Sequence, residues 1–112
     1  KRQIQVTTTG AKSGVRRTIP LVAIPHDDGF VIIASNFGQE RHPAWYYNLK
    51  ANPQVTVSFD GRTQEMRARE LEGEERERWY ERGIQIYPGW TSYRERTAAH
   101  RLIPVLDLMP VA

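Results

Sequence analysis

The chain has 112 residues, 39% hydrophobic and 26% charged, with a formal net charge of +3 and no cysteine. This composition suits one globular domain with a single core, and the lack of cysteine excludes disulfide frameworks, zinc–cysteine sites and thiol nucleophiles. The charge is uneven: Lys1, Arg2, Lys12, Arg16 and Arg17 all precede the first acidic residue, Asp27. A local cationic patch of this kind favours a small polyanion over a long nucleic-acid track, which needs basic residues along more of the chain.

In chain order, IQVTTTG (4–10) is β-branched, ends in glycine and predicts a strand. VRRTIPLVAI (15–24) predicts a second strand, with Pro20 marking an edge or bulge because it has no N–H to give. HDDG (26–29) reads as a turn and FVIIAS (30–35) as a buried strand. A loop over NFGQERHP leads to a short helix, AWYYNLKAN (44–52), opened by Pro43 and closed before Pro53. QVTVSF (54–59) alternates with period two and turns Val55, Val57 and Phe59 to one side. Asp60-Gly61 is a strong hairpin signal, and RTQEMRARE (62–70) returns as its partner. Residues 72–87 predict a helix with Trp79, Tyr80, Ile84 and Tyr87 on one face. Its run GEERERWYER reads as a solvated face with pairs such as Glu74–Arg78 and Glu77–Arg82. A short helix around 90–99 and a strand over RLIPVLDL (101–108) complete the chain. About six consecutive antiparallel strands favour a small barrel, since closure removes exposed edges. The opening KRQIQV reads as the inside of a strand, so an N-terminal segment is expected upstream.

GAKSG (10–14) lacks the pattern of a nucleotide phosphate loop and is followed by a strand. Anion chemistry remains: Gly10 and Gly14 allow backbone N–H groups to converge, Lys12 adds a point charge, and Ser13 adds a hydroxyl donor. Arg17 adds a rigid fork suited to phosphate or carboxylate oxygens. The competing reading is an ordinary solvated hairpin turn. Tyr87, Trp90 and Tyr93 recur every three residues, either as the packing of a short helix or as an aromatic box for a planar acceptor. His26, His42 and His100 lack metal-ligand spacing, so no metal is expected. No G-x-S-x-G motif supports a serine hydrolase.

TTTGAKSGVRRTIPL, ASNFGQERHPAWYYNLKANPQVTV and YPGWTSY, in this order and spacing, resemble the deazaflavin (F420)-dependent nitroreductase and quinone reductase family. The resemblance covers nearly the whole chain, and its W-Y-x-N-L-x-A-N-P run is the most specific part. It implies one domain over 1–112, mainly β with short helices, folded as a split β-barrel of the FMN-binding type. It also implies coenzyme F420, an 8-hydroxy-5-deazaflavin with a phosphodiester and an oligoglutamate tail, as cofactor. By the same resemblance Lys12, Ser13 and Arg17 hold phosphate and tail, and Thr18, Ile19 and Pro20 run beside the cofactor. Ala34, Ser35 and Asn36 border the ring, and Trp45 and Asn48 close another side. Tyr87, Trp90 and Tyr93 line the acceptor pocket, with Ser35, Tyr87 and Tyr93 as catalytic hydrogen-bond donors. The sequence departs from its relatives at Ala11 and Asn36, where a basic residue is common, and at Trp90, where tyrosine is.

The implied activity is hydride transfer from reduced F420 to a quinone or nitroaromatic acceptor. The alternatives are a non-catalytic binder of deazaflavin or of a lipid-like molecule on the same fold, and an FMN-binding split barrel. The accompanying expectations are a cytoplasmic protein that reaches the inner membrane peripherally for its quinone, forms a homodimer, and binds no nucleic acid.

Overall fold

A computed structural model describes residues 2–34, 43–86 and 103–111. Six strands form a closed antiparallel barrel: β1 (Arg2–Thr9), β2 (Arg16–His26), β3 (Gly29–Ile33), β4 (Gln54–Phe59), β5 (Arg62–Glu70) and β6 (Val105–Pro110). Around the barrel they run β1-β2-β3-β6-β5-β4. Helix α1 (Ala44–Ala51) joins β3 to β4, and α2 (Gly73–Ile86) follows β5. The expected mainly-β barrel with short helices is the fold observed. The helix expected around 90–99 lies outside the described residues.

Alternation along the strands makes two cores. Ile4, Val6, Phe30, Ile32, Val55, Val57, Met66, Leu106 and Leu108 fill the barrel, with Leu49 of α1 added to them. Val31, Ile33 and Val105 point outward from β3 and β6 and are covered by Leu71, Tyr80 and Ile103. Phe59 packs against the inner cluster edge-on to Phe30, as its period-two position predicts.

Local chemistry explains the joints. Asp60 (φ 49°) and Gly61 (φ 75°) are both left-handed, as a two-residue hairpin turn of the favoured twist requires. Pro20 sits opposite Gln5 of β1, whereas β3 pairs only with Ala23–His26. Pro20 is therefore on a locally unpaired edge inside a closed barrel. Pro43 is the N-cap of α1, one position earlier than its expected place in the first turn. The last strand starts later than expected, at Val105, because Pro104 has no N–H to donate. The Pro104 carbonyl instead accepts the Ala34 N–H at 2.9 Å, and pairing continues to Pro110 opposite Met66.

The solvated-face reading of α2 fails at Arg76, which is 4% exposed. Its Nε donates to the Ile103 carbonyl at 3.1 Å, its Nη2 reaches the same oxygen, and its Nη1 pairs with Glu77. The guanidinium lies 5.4 Å from the centre of the buried Tyr80 ring. Charge counting along a helix cannot distinguish an arginine that turns inward to satisfy a carbonyl from one that stays in water. Arg76→Ala leaves the buried Ile103 carbonyl without its donor and opens a cavity. The expected cost is about 2–3 kcal/mol, read as a fall in Tm of roughly 10 °C or more.

Candidate functional site

The hairpin between β1 and β2 is closed by its own backbone. The Gly10 N–H donates to the Val15 carbonyl at 2.9 Å and the Gly14 N–H to the Gly10 carbonyl at 3.1 Å. Gly14 holds φ 71°, which a side chain would disfavour. The Val15 N–H is taken by Ser13 Oγ at 3.1 Å. The two glycines thus spend their own N–H groups on closing the loop. Among the described residues, the Lys12 and Ser13 N–H groups are the ones left without a partner in the hairpin.

Helix α1 locks this loop. Asn48 Oδ1 accepts the Ala11 N–H at 3.0 Å, and Asn48 Nδ2 donates to the buried Thr8 hydroxyl at 3.5 Å. Asn52 Nδ2 donates to the Thr9 carbonyl at 3.4 Å. Asn48, expected beside the cofactor, has its side chain engaged in holding the hairpin. Asn52 was missed as a second tie, although its place between a helix end and Pro53 was the available signal. Trp45, one turn before Asn48, is half-buried against the inner core.

The cations of the hairpin divide between two faces. Arg17, Ile19 and Leu21 pair with Thr8, Val6 and Ile4, so they share the inward side of β2 at the end covered by α1. Arg16, Thr18 and Pro20 pair with Thr9, Thr7 and Gln5 and point outward. The Thr7 and Thr18 hydroxyls meet there at 2.7 Å. Lys12 and Arg17 are exposed and have no carboxylate partner among the described residues. Two cations without a carboxylate partner among the described residues, on a loop held by its own hydrogen bonds and with spare N–H donors beside them, fit the anionic handle of a bound molecule. Ala34 is fully buried at the end of β3. Ser35, Asn36, Tyr87, Trp90 and Tyr93 lie outside the described residues.

On the other side of α1, the Tyr46 hydroxyl donates to Glu70 Oε1 at 2.9 Å, and Lys50 Nζ contacts the same oxygen at 2.9 Å. Burial, and then the bond to Glu70, push the Tyr46 hydroxyl up to about 12. A raised folded-state pKa stabilises fully below the unfolded value and is lost as pH rises through the folded one. Stability is therefore expected to fall between about pH 10 and pH 12. Urea unfolding of wild type and Tyr46→Phe across that window checks it, the variant losing less.

Residues 1–110 match the F420H(2)-dependent quinone reductase family. The chain belongs to that family. It is 36% identical over 106 residues to an F420H(2)-dependent quinone reductase of Mycobacterium tuberculosis, covering 90% of this chain and 68% of the relative. A second, putative F420H(2)-dependent quinone reductase of the same species is 32% identical over 99 residues, covering 88% and 82%. Among solved structures, an F420-H2 dependent reductase (FDR-A) superposes with a TM-score of 0.85 at 41% identity, covering 96% of this chain and 94% of that one. A heme storage protein of Vibrio cholerae shares the fold alone, with a TM-score of 0.68 at 14% identity and coverage of 99% and 82%.

The F420H(2)-dependent quinone reductase family consists of oxidoreductases, and coenzyme F420 is the cofactor. The resemblance carried by the three sequence blocks is thus membership. Among the described residues, no helix is long and apolar enough to cross a membrane.

Proposed function

We propose that this chain transfers a hydride from reduced F420 to a quinone, with the α1-locked hairpin gripping the charged end of the cofactor. Lys12, the Ser13 hydroxyl and Arg17 hold its phosphate and tail. Asn48 and Asn52 keep that loop in place and so fix where the ring lies. The carrying observation is that, among the described residues, Lys12 and Arg17 have no carboxylate partner, on a loop closed by its own carbonyls and by Asn48. Thr18, Ile19 and Pro20 supply backbone beside the cofactor, while Ala34, Ser35, Asn36 and Trp45 border the ring.

When bound, reduced F420 supplies the hydride; the protein supplies position and charge. Tyr87, Trp90 and Tyr93 hold the planar acceptor within the ~3–3.5 Å that hydride transfer needs. The hydroxyls of Ser35 and of Tyr87 or Tyr93 donate to the acceptor oxygen as negative charge grows there. A tyrosine near pKa ~10 serves as a hydrogen-bond donor rather than a full proton source, and water delivers the proton. Nitroaromatics are adventitious acceptors on this reading. A lipid-soluble quinone brings the protein to a membrane surface, and a homodimer is its working assembly. A domain-swapped dimer is recorded for a chain 41% identical to this one.

Mixing the protein with reduced F420 and menadione and following the return of oxidised-cofactor absorbance tests the reading. Turnover is expected. Tight binding without turnover over a panel of quinones and nitro compounds assigns a carrier instead, and preference for FMN over deazaflavin overturns the cofactor grip.

A further inference from the structure

Helix α1 meets its neighbours through three pairs of side chains, each pair four residues apart in the chain. Trp45 and Leu49 face the barrel interior, Leu49 buried in the inner cluster and Trp45 packed against it. Asn48, with Asn52 at the end of the helix, holds the β1–β2 hairpin at the Ala11 N–H, the Thr8 hydroxyl and the Thr9 carbonyl. Tyr46 and Lys50 both reach Glu70 Oε1, each at 2.9 Å. Residues four apart lie on one side of a helix. At roughly 100° per residue, Tyr46 and Lys50 fall on the flank opposite Asn48, with the Trp45–Leu49 seam between the two flanks.

This helix is only eight residues long, and its N-cap, Pro43, makes no side-chain cap bond. A helix so short has little stability of its own, so its pose is set by what grips it. The Ala68 N–H donates to the Pro53 carbonyl at 2.8 Å and pins the chain just beyond α1 to β5. Leu49 pins the helix to the core. The freedom that remains is roll about the core seam. On one flank a single carboxylate oxygen takes both donors, and on the other a single asparagine serves both the loop amide and the buried Thr8. Glu70 itself ends a strand paired on both sides, to β4 and to β6, with Glu70 opposite Leu106. The carboxylate is therefore the fixed point, and α1 is the lever that carries its hold to Ala11, the residue before Lys12.

We propose that Glu70 is a positioning residue for the cofactor loop: by holding Tyr46 and Lys50 it sets the roll of α1, and through Asn48 that roll sets the place of Ala11 and Lys12. This inference rests on the proposed grip of F420 by Lys12 and Arg17.

The test uses two readouts. The first is amide hydrogen exchange at Ala11 in the protein without cofactor. Glu70→Ala is expected to speed it about fivefold, the scale of coupling between contacting groups. Tyr46→Phe, which keeps the Lys50 tie, speeds it less, and it decides the matter if Glu70→Ala does not fold. Glu70→Gln keeps an oxygen for both donors and stays close to wild type. A Glu70 that merely stabilised the fold would move the ladder amides of β3 and β6, which report global unfolding, and leave the local opening at Ala11 as it was. The second readout is F420 affinity by fluorescence titration, expected to weaken about fivefold in Glu70→Ala and to be restored in Glu70→Gln. Charge alone predicts the reverse, because losing a carboxylate favours an anionic ligand. Combining Glu70→Ala with Asn48→Ala closes a double-mutant cycle, and the two losses fall well short of additive because both act through one tie. Unchanged Ala11 exchange, unchanged F420 affinity or additive losses overturn the proposal. Failure of wild type to bind F420 overturns the grip instead, and the exchange data then decide whether Glu70 holds the hairpin.

Discussion

Lys12→Ala combined with Arg17→Ala lowers affinity for F420 about a hundredfold at low ionic strength. Each side chain is exposed, so each contact is taken at the low end of a charge-assisted bond, ~1.5 kcal/mol. Two such contacts amount to ~3 kcal/mol, and ~1.4 kcal/mol is tenfold. The loop itself keeps its shape, because the bonds that close it run between Gly10, Ser13, Gly14 and Val15 and from Ala11 to Asn48. Neither lysine nor arginine takes part in them. The Tm of the double variant should therefore match wild type within a degree or two. Raising salt shortens the screening length from ~10 Å at 0.1 M to ~3 Å at 1 M, so wild-type affinity falls toward that of the variant. Titration at two salt concentrations reads both effects. Equal affinity of variant and wild type at low salt removes the cofactor from this loop.

Gly29→Ala unfolds the barrel or brings it close to unfolding. A Cβ at Gly29 sits 1.9 Å from the Leu108 carbonyl oxygen and 2.9 Å from Met109 Sδ. The methionine sulfur can move, but the carbonyl belongs to the β3–β6 ladder, where Phe30 pairs with Leu108. Relief requires the two strands to separate where the barrel closes. Overpacking in a tight site costs ~1–3 kcal/mol and more when backbone must shift; here ~3 kcal/mol is a lower figure. Against a total stability of ~5–15 kcal/mol, the urea midpoint should drop severely. Gly61→Ala is the control. Its φ is 75° and nothing lies within 4 Å of the added Cβ. Only backbone strain of ~1–2 kcal/mol opposes it. Equal midpoints for the two variants would mean that β3 and β6 do not approach so closely.

Local signals carried much of the architecture. Alternation in residues 54–59, the Asp60-Gly61 turn and the prolines flanking α1 each act over a few residues, so they appear in the chain as written. Pro20 shows the limit. Its missing N–H predicts an edge, and the edge exists, but only because β3 is too short to reach that part of β2. Arg76 shows another. Its partner is a carbonyl 27 residues away, and no pattern within α2 announces it.

From the amino-acid order alone came the family, the strand count and a cationic hairpin suited to an anion. Each depends on residue type and near spacing. Tertiary structure decided which donors that hairpin has to spare, because Asn48 and the loop's own carbonyls consume the rest. It also decided that Arg16 and Arg17, neighbours in the chain, serve opposite faces of the sheet. The pleat turns successive side chains apart, and only closure of the barrel determines which of the two directions is inside.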